Sequence, residues 1–415
     1  MRVFFSAGEP SGDHHAAVLV QELRARDSSV ECVGLGGPRM AAAGCLLVAD
    51  LTQLAVMWFL RVILSIHRFV DLARRAERSF LDARPDVCVL VDFPGFHWWL
   101  AWRAKRHGIP VVFYCPPQIW AWASWRIGKM RRLVDHVLSP LPFEHDWFIA
   151  QGMTSTLVGH PFFDELGGAT AGPTCRLEGG GYDKPLVLLL PGSRSQEISG
   201  NLTSILRAAA RVRSLVPEAR FVVAALHERH ADGIRAVIAK DPSASRLDIR
   251  VVAGQARELM DVATVAIAVS GSVSLELLAA RVPTVIVYRI GGLAYVGQSF
   301  LRRVRFITLV NLLACRDPIG PIRPVLLPPW SVPPADPEAV FPEYLAVQDP
   351  AERAAGQVVE WLCNPVAIGR ARARVAAVAA RVAHPGSAAQ AAQAVLAIAS
   401  GAAPAGAVSR WRCAA

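Results

Sequence analysis

Several things are scarce in this chain of 415 residues. No apolar run approaches the roughly 18 residues that a membrane-spanning helix needs; the best, LAVMWFL, is cut at Arg61. The first residues, MRVFFSAGEPSGD, hold too short an apolar segment for a signal peptide and run straight into a turn, which points to a cytoplasmic protein. Cysteines stand at 32, 45, 88, 115, 175, 315, 363 and 413, but no two form a C-x-x-C pair, so neither a disulfide framework nor a zinc site is expected. Internal repeats are absent. No loop fits G-x-x-x-x-G-K-[ST], which disfavours a P-loop NTPase, and no Asp-x-Asp pair suits a divalent ion. Acidic residues are fewer than basic ones, 34 against 44, and the net charge of +10 fits anionic partners. Charge alone does not choose among nucleic acid, phosphorylated substrates and an acidic membrane surface.

What is present is apolar and alternating. Apolar residues make up 53% of the chain, enough for a large core. Strand-like runs alternate with helix-like ones: VFF, ECVGLGG, VCVLVDF, PVVFYCP and HVLSPLP in the first part, then PLVLLLPGSRS, ARFVVAAL, LDIRVVAG, VAIAVSGS and PTVIVYR. This rhythm predicts parallel sheets covered by helices on both faces, an α/β protein. A glycine-rich break at 166–184 divides it into an N-terminal domain, 1–165, and a C-terminal domain, 185–365. The proline-rich stretch 318–340 reads as an extended insertion. Two Ala-rich helices lie in 366–400, broken at His384-Pro385-Gly386, and 401–415 reads as a tail.

The candidate site residues sit where strands give way to helices. The turn GEPSGD, with Gly8, Glu9, Ser11 and Asp13, either holds an anion on backbone N–H groups or is an ordinary strand-to-helix turn with Ser11 or Asp13 as N-cap. In LLLPGSRSQEI, Gly192, Ser193 and Arg194 place backbone donors, a hydroxyl and a guanidinium at a helix start, either a phosphate-binding combination or a turn whose arginine faces solvent. VSGSVSLELL repeats that plan with Ser270, Gly271 and Ser272; Glu276, one turn on, either takes the two hydroxyls of a ribose or serves the helix dipole. Asp92 ends an apolar strand just before Pro94-Gly95, and is either a general base, for which this is the place in an α/β enzyme, or an ordinary loop carboxylate before a turn. His160 in VGHP is either a second base or a turn cap.

These motifs occur together and in order. SAGEPSGDHHAA, VGLGGPRMAAAGC, LAVM, VDFPGF, PPQIWAWASWRIGKMRRLVDHVLSPLPFE, VGHPFFDE, LLPGSRSQEI, SGSVSLE and NLLACRD resemble the lipid-A-disaccharide synthases, over roughly residues 2 to 400. The resemblance implies a GT-B architecture, two Rossmann-like parallel-sheet domains facing a cleft, with the acceptor and lipid on the N-terminal domain and the UDP-sugar on the C-terminal one. It implies an inverting transfer from UDP-2,3-diacylglucosamine to 2,3-diacylglucosamine 1-phosphate, forming a β-1,6 linkage and releasing UDP. The family's catalytic aspartate falls on Asp92, its nucleotide-site arginine on Arg194, and the asparagine of its N-[LI]-[LI]-A-G-R motif on Asn311, with Arg316 closing that motif. Departures are His97, where the family has Asn, Cys315 for Gly, Asp317 for Glu, and Trp58 after LAVM. Other UDP-sugar enzymes of the same fold, a peptidoglycan-precursor glycosyltransferase or an epimerase, and a non-catalytic lipid-binding protein are the alternatives.

In that chemistry Asp92 takes the proton of the acceptor's 6-hydroxyl, and apolar surroundings strengthen it as a base. Trp98 and Trp99 either border acyl chains or form a core helix face. Acylated substrates must be collected from a membrane, and residues 54–80 offer Val56, Leu60, Ile63 and Val70 on one side and Arg61, Arg68 and Arg75 at seven-residue spacing on another. Such a helix either lies on an anionic bilayer or packs on the sheet with a solvated basic face. The expected partners are the two acylated sugars and an anionic inner-membrane surface, with a homodimer left open; no nucleic acid, cofactor or metal is expected.

Overall fold

The computed structural model describes residues 1–55, 66–167, 184–242, 244–320 and 331–404. The linker expected at 166–184, the tail, the centre of the proline-rich stretch, and Val56, Trp58, Leu60, Arg61 and Ile63 lie wholly or mostly outside the described residues. The chain forms two compact units, Met1–Gly168 with His384–Ala415, and Ala169–Ala383.

The first unit is a seven-stranded parallel sheet in the order β3-β2-β1-β4-β5-β6-β7. Its strands are β1 (Arg2–Ala7), β2 (Glu31–Gly36), β3 (Leu46–Asp50), β4 (Val87–Val91), β5 (Val111–Tyr114), β6 (His136–Ser139) and β7 (Ser155–Leu157). Both faces are covered, so central strands such as VCVLV are apolar throughout. Successive residues still part company by pleat. Phe5 joins helices Pro10–Arg26 and Ser387–Ala399 on one face. Phe4 joins helices Ile66–Asp82 and Pro94–Arg106 on the other, its ring edge-on to Phe80 at 4.8 Å.

Helix Ser387–Ala399 comes from the far end of the chain and packs on helix Pro10–Arg26 through Ala388, Ala391, Ala392 and Val395. Its start is fixed by Asp164, whose carboxylate accepts from the backbone N–H of Gly386 (2.5 Å), Ser387 (2.9 Å) and Ala388 (2.7 Å). Gly386, at φ +106°, makes the turn that the His-Pro-Gly break announced.

Helix Ile66–Asp82 corrects the membrane expectation for its part of 54–80. Phe69, Leu72, Ala73, Ala76 and Phe80 are spaced one to three turns apart and all face the sheet. The apolar face is therefore spent on the unit's own core. Arg68 is exposed and Arg75 pairs with Asp71 at 2.8 Å, a solvated basic face.

The second unit is a six-stranded parallel sheet ordered β10-β9-β8-β11-β12-β13. The strands are β8 (Leu186–Leu190), β9 (Arg220–Ala225), β10 (Ile249–Ala253), β11 (Val265–Ala268), β12 (Thr284–Arg289) and β13 (Glu343–Ala346). Helix Ser195–Leu215 closes one face with Leu202, Ile205, Ala209 and Val212. Helix Val273–Ala279 packs instead with helices Leu309–Ala314 and Pro365–Val382.

Candidate functional site

In both sheets the strand order reverses once, between β1 and β4 and between β8 and β11. Crossovers leaving the two central strands there pass to opposite faces, and the crevice between them is where such sheets bind ligands. The GEPSGD turn and Asp92 leave the first pair of strands; the PGSR and SGS turns leave the second.

In the first unit, Ala7 pairs with Val91, so the two turns start side by side. The close approach explains two glycines. A Cβ at Gly8 would drive into the Phe93 ring, and one at Gly12 would lie 3.3 Å from the Val91 carbonyl and 3.6 Å from Asp92 Cβ. Asp92 and Phe93 are both left-handed, at φ 54° and 48°, and neighbouring Cys115 is too, at 51°. Such conformations in non-glycine residues cost about 1–3 kcal/mol each and persist only where surroundings enforce them.

The enforcing group is His97, fully buried on the first turn of helix Pro94–Arg106. Its Nδ1 lies 2.6 Å from the Asp92 carbonyl oxygen and its Nε2 2.9 Å from Ser6 Oγ. A carbonyl only accepts, so Nδ1 carries the hydrogen and Nε2 accepts from the Ser6 hydroxyl. Burial pushes the imidazole down to about 3, so it stays neutral. The Asp92 carboxyl is raised above its ordinary value by burial, opposed by the Phe93 N–H that donates to its Oδ1 at 2.9 Å. An aspartate held half-buried beside Phe93 and Gly12, with a raised pKa, has the properties of a general base.

Other first-unit candidates find different work. Asp13 is buried and accepts from Gly37 N (2.8 Å), Arg39 N (3.1 Å) and Met40 N (3.2 Å), fixing the start of helix Pro38–Ala42. That differs from the N-cap role suggested for it in its own turn: three backbone donors of another segment hold its carboxylate inward. His160 Nδ1 accepts from Phe162 N at 3.3 Å, the turn-cap alternative, and burial followed by the nearby His15 pushes it down to about 4. Glu9 precedes helix Pro10–Arg26 and Ser11 is exposed in its first turn. Trp98 goes to the core beside Phe113, 6.1 Å between ring centroids, whereas Trp99 is exposed. Sequence reasoning passed over His14 and His15, whose Nε2 and Nδ1 lie 2.9 and 4.0 Å from Glu165; the adjacent pair in GDHH was the available signal.

In the second unit a cavity of about 340 Å³ opens at the switch point, lined by Gly192, Ser193, Arg194, Ser270–Ser272 and Glu276 among others. Gly192 has φ +124°, and a Cβ there would lie 2.7 Å from Glu197 Cβ. The backbone donors of the PGSR turn are not bare, as the sequence had suggested. Glu197 Oε2 accepts from Ser193 N (3.1 Å) and Arg194 N (3.3 Å), in the manner of a capping box. Glu197 at the third helical position was the overlooked signal. The Arg194 side chain is 80% exposed and lies 3.4 Å from Glu197, a surface pair easily exchanged for a ligand anion. Ser270 Oγ donates to the Ile307 carbonyl, holding its loop in place.

Asn311 is drawn away from the cavity. Its Nδ2 donates to Phe341 O (2.7 Å) and Glu343 Oε2 (2.9 Å), and its Oδ1 accepts from Phe341 N (2.8 Å). Buried, with donor and acceptor both engaged, it ties helix Leu309–Ala314 to the start of β13. This corrects its expected contact with the nucleotide. Glu343, raised by burial, also accepts from Ile307 N and Thr308 N. Arg316 and Asp317 are exposed beyond that helix, and Cys315 is buried.

The family described as lipid-A-disaccharide synthetase matches residues 3–320. The chain belongs to the lipid-A-disaccharide synthase family. It is 34% identical over 327 residues to the lipid-A-disaccharide synthase of Myxococcus xanthus, covering 76% of this chain and 82% of that one. It is 32% identical over 379 residues to that of Geobacter sulfurreducens, covering 91% and 92%. Family membership makes it a glycosyltransferase of lipid A biosynthesis. Among solved structures it resembles a putative UDP-N-acetylglucosamine 2-epimerase from Listeria monocytogenes (TM-score 0.60, 11% identity, 98% and 99% of the chains). It also resembles Acinetobacter baumannii MurG (TM-score 0.56, 13% identity, 95% and 99%). At such identities the likeness shows the fold alone, a pair of GT-B-like parallel-sheet domains. Among the described residues, no helix is long and apolar enough to cross a membrane.

Proposed function

We propose that this synthase transfers 2,3-diacylglucosamine from UDP to the 6-hydroxyl of 2,3-diacylglucosamine 1-phosphate, inverting the anomeric centre to form a β-1,6 linkage. The observation that carries the proposal is Asp92: a carboxylate at the β1/β4 switch point, raised by burial and held in a strained turn by His97. Asp92 removes the proton of the acceptor hydroxyl as its oxygen attacks C1 of the donor. A general base of this kind contributes about 10²–10⁴-fold.

The second-unit cavity takes the UDP. Arg194 leaves Glu197 for the diphosphate and offers paired donors to the charge that grows as the bond to C1 breaks. Glu276, which lines that cavity on the first turn after the SGS loop, accepts from ribose hydroxyls in this reading. The enzyme acts at the cytoplasmic side of the inner membrane, on which its acylated substrates reside. A coupled assay of UDP release tests the reaction: release is expected with the acylated acceptor and not with glucosamine 1-phosphate. Equal release with both would point to another UDP-sugar enzyme of this fold.

A further inference from the structure

One wall of the second-unit cavity is the loop of Ser270, Gly271 and Ser272, and that loop is held by residues that do not line the cavity. Ser270 Oγ donates to the Ile307 carbonyl at 3.0 Å. Ile307 and Thr308 lie in a turn just before helix Leu309–Ala314, in neither helix nor strand. Their N–H groups are aimed at one carboxylate. Glu343, the first residue of β13, accepts from Ile307 N through Oε1 at 2.8 Å and from Thr308 N through Oε2 at 3.2 Å. Oε2 also accepts from Asn311 Nδ2 at 2.9 Å. Glu343 and Ser270 therefore grip the same residue, one by its N–H and the other by its carbonyl.

These bonds close a circuit. β13 pairs with β12, with Ile286 opposite Glu343, and β12 pairs with β11, from whose end the chain runs into Ser270. The sheet thus fixes where Glu343 stands relative to the start of the SGS loop, and the 307–308 turn carries that position back to the loop. Helix Val273–Ala279, which brings Glu276 to the cavity, packs on helix Leu309–Ala314, whose first turn follows directly from Thr308. A carboxyl group is an expensive way to brace a turn: burial raises Glu343, and the donors from Ile307, Thr308 and Asn311 oppose that cost. What it supplies is two acceptor oxygens that satisfy three N–H groups in a fixed geometry, the kind of support that keeps the residues in contact with a ligand in place.

We propose that Glu343 is a positioning residue of the nucleotide site: through Ile307 it fixes Ser270, and so sets the place of the loop that walls the UDP cavity. The proposal rests on the UDP reading of that cavity and adds to it a residue that touches no ligand. Glu343 acts on binding of the nucleotide half of the donor and takes no part in the chemical step.

Calorimetric titration of UDP into the full chain, wild type and variants, tests it. Glu343→Gln keeps the size of the side chain, but an amide nitrogen replaces one acceptor oxygen, so at least one of the three N–H groups faces another donor. Kd for UDP should rise about tenfold, which is about 1.4 kcal/mol. KM for the UDP-sugar should rise with it while kcat at saturating donor changes little, the pattern of lost uniform binding. Ser270→Ala should raise Kd as well, and the double variant should bind no more weakly than the weaker single one, because both substitutions cut the same link. Leu202→Ala, which opens a cavity in the core of the same unit, should lower the melting temperature and leave Kd unchanged, and so separates lost position from lost stability. Where Glu343→Gln melts below the assay temperature, Ser270→Ala carries the test, since it leaves the buried carboxyl group and its donors intact. Wild-type affinity for UDP in folded Glu343→Gln, or in Ser270→Ala, overturns the proposal. So do losses in the two single variants that multiply in the double one. A wild type that binds no UDP removes the UDP reading of the cavity itself, and this proposal with it.

Discussion

Replacing His97 by Ala removes the group that holds the Asp92–Phe93 turn in its left-handed form. Two buried polar groups lose their partners, Ser6 Oγ and the Asp92 carbonyl. Each costs about 1–3 kcal/mol when left unsatisfied, and the space of the lost ring adds a cavity term. The total, about 3–5 kcal/mol, is a large part of the roughly 5–15 kcal/mol that holds an ordinary domain together. The variant should therefore melt well below the wild type yet stay folded in the cold. There its turn is free to relax at Asp92 and Phe93, and a displacement of about 1 Å at the base costs on the order of 10²-fold in kcat. The acid limb of the pH–rate profile should move to lower pH, because a relaxed Asp92 is better hydrated than the buried one. His97→Asn should restore kcat to within about tenfold, since its Nδ2–H can donate to the same carbonyl and one neutral hydrogen bond is worth about 1 kcal/mol. KM for the UDP-sugar should not change, because His97 lies in the first unit and the nucleotide cavity in the second. A cold, folded His97→Ala enzyme with wild-type kcat and an unmoved acid limb would refute this account of the turn.

Two further outcomes follow from the same structure. Arg194→Ala should weaken UDP binding in calorimetric titration and slow transfer together, and Arg194→Lys should rescue only in part because paired donors are lost; unchanged UDP affinity in the Ala variant would remove Arg194 from the site. The first unit should be acid-labile. Burial holds His97 at about 3 and His15, His136 and His160 at about 4, and lowers His145. Below about pH 6.5 the unfolded chain gains protons that these folded rings refuse, so stability falls as pH drops from there toward 4. Glu144, raised to about 8 by burial, acts in the opposite sense, adding stability as pH falls from about 8 toward 4.5, and Asp92, also raised by burial, shares that sign. Five groups outweigh two, so hydrogen-exchange protection of β1, β4 and β5 should peak near neutrality and drop by pH 5. Greater protection at pH 5 than at pH 6.5 would show the sign to be wrong.

The apolar runs VCVLV and LVLLL and the turns between them made the two parallel sheets legible, because strands buried on both faces read as continuous apolar segments. Asp92, Gly192 and Arg194 drew notice for a related reason: they follow the central strands β4 and β8, and such sheets bind ligands where central strands end. What the sequence concealed was where side chains point after long-range packing. Nothing local says that Asp13 turns to the backbone of residues 37–40, 24 or more positions away, or that Asn311 turns to Phe341. The seven-residue spacing of arginines in 61–75 suggested a membrane face, but within the described helix Ile66–Asp82 the residues Phe69, Leu72, Ala73, Ala76 and Phe80 serve the sheet. His97 stood out as a departure from the family pattern; its contact with Ser6, 91 positions earlier, exists only in the folded sheet.

The claim at the centre of the account is that Asp92 is the base of the transfer reaction and not a part of the UDP site. Asp92→Asn keeps size and the acceptor for the Phe93 N–H while removing basicity. The decisive measurement is kcat for formation of the acylated disaccharide by this variant, alongside its Kd for UDP. The account predicts a fall of at least about 10²-fold in kcat with Kd for UDP unchanged. Wild-type turnover by Asp92→Asn, or loss of UDP binding in step with loss of turnover, would contradict it.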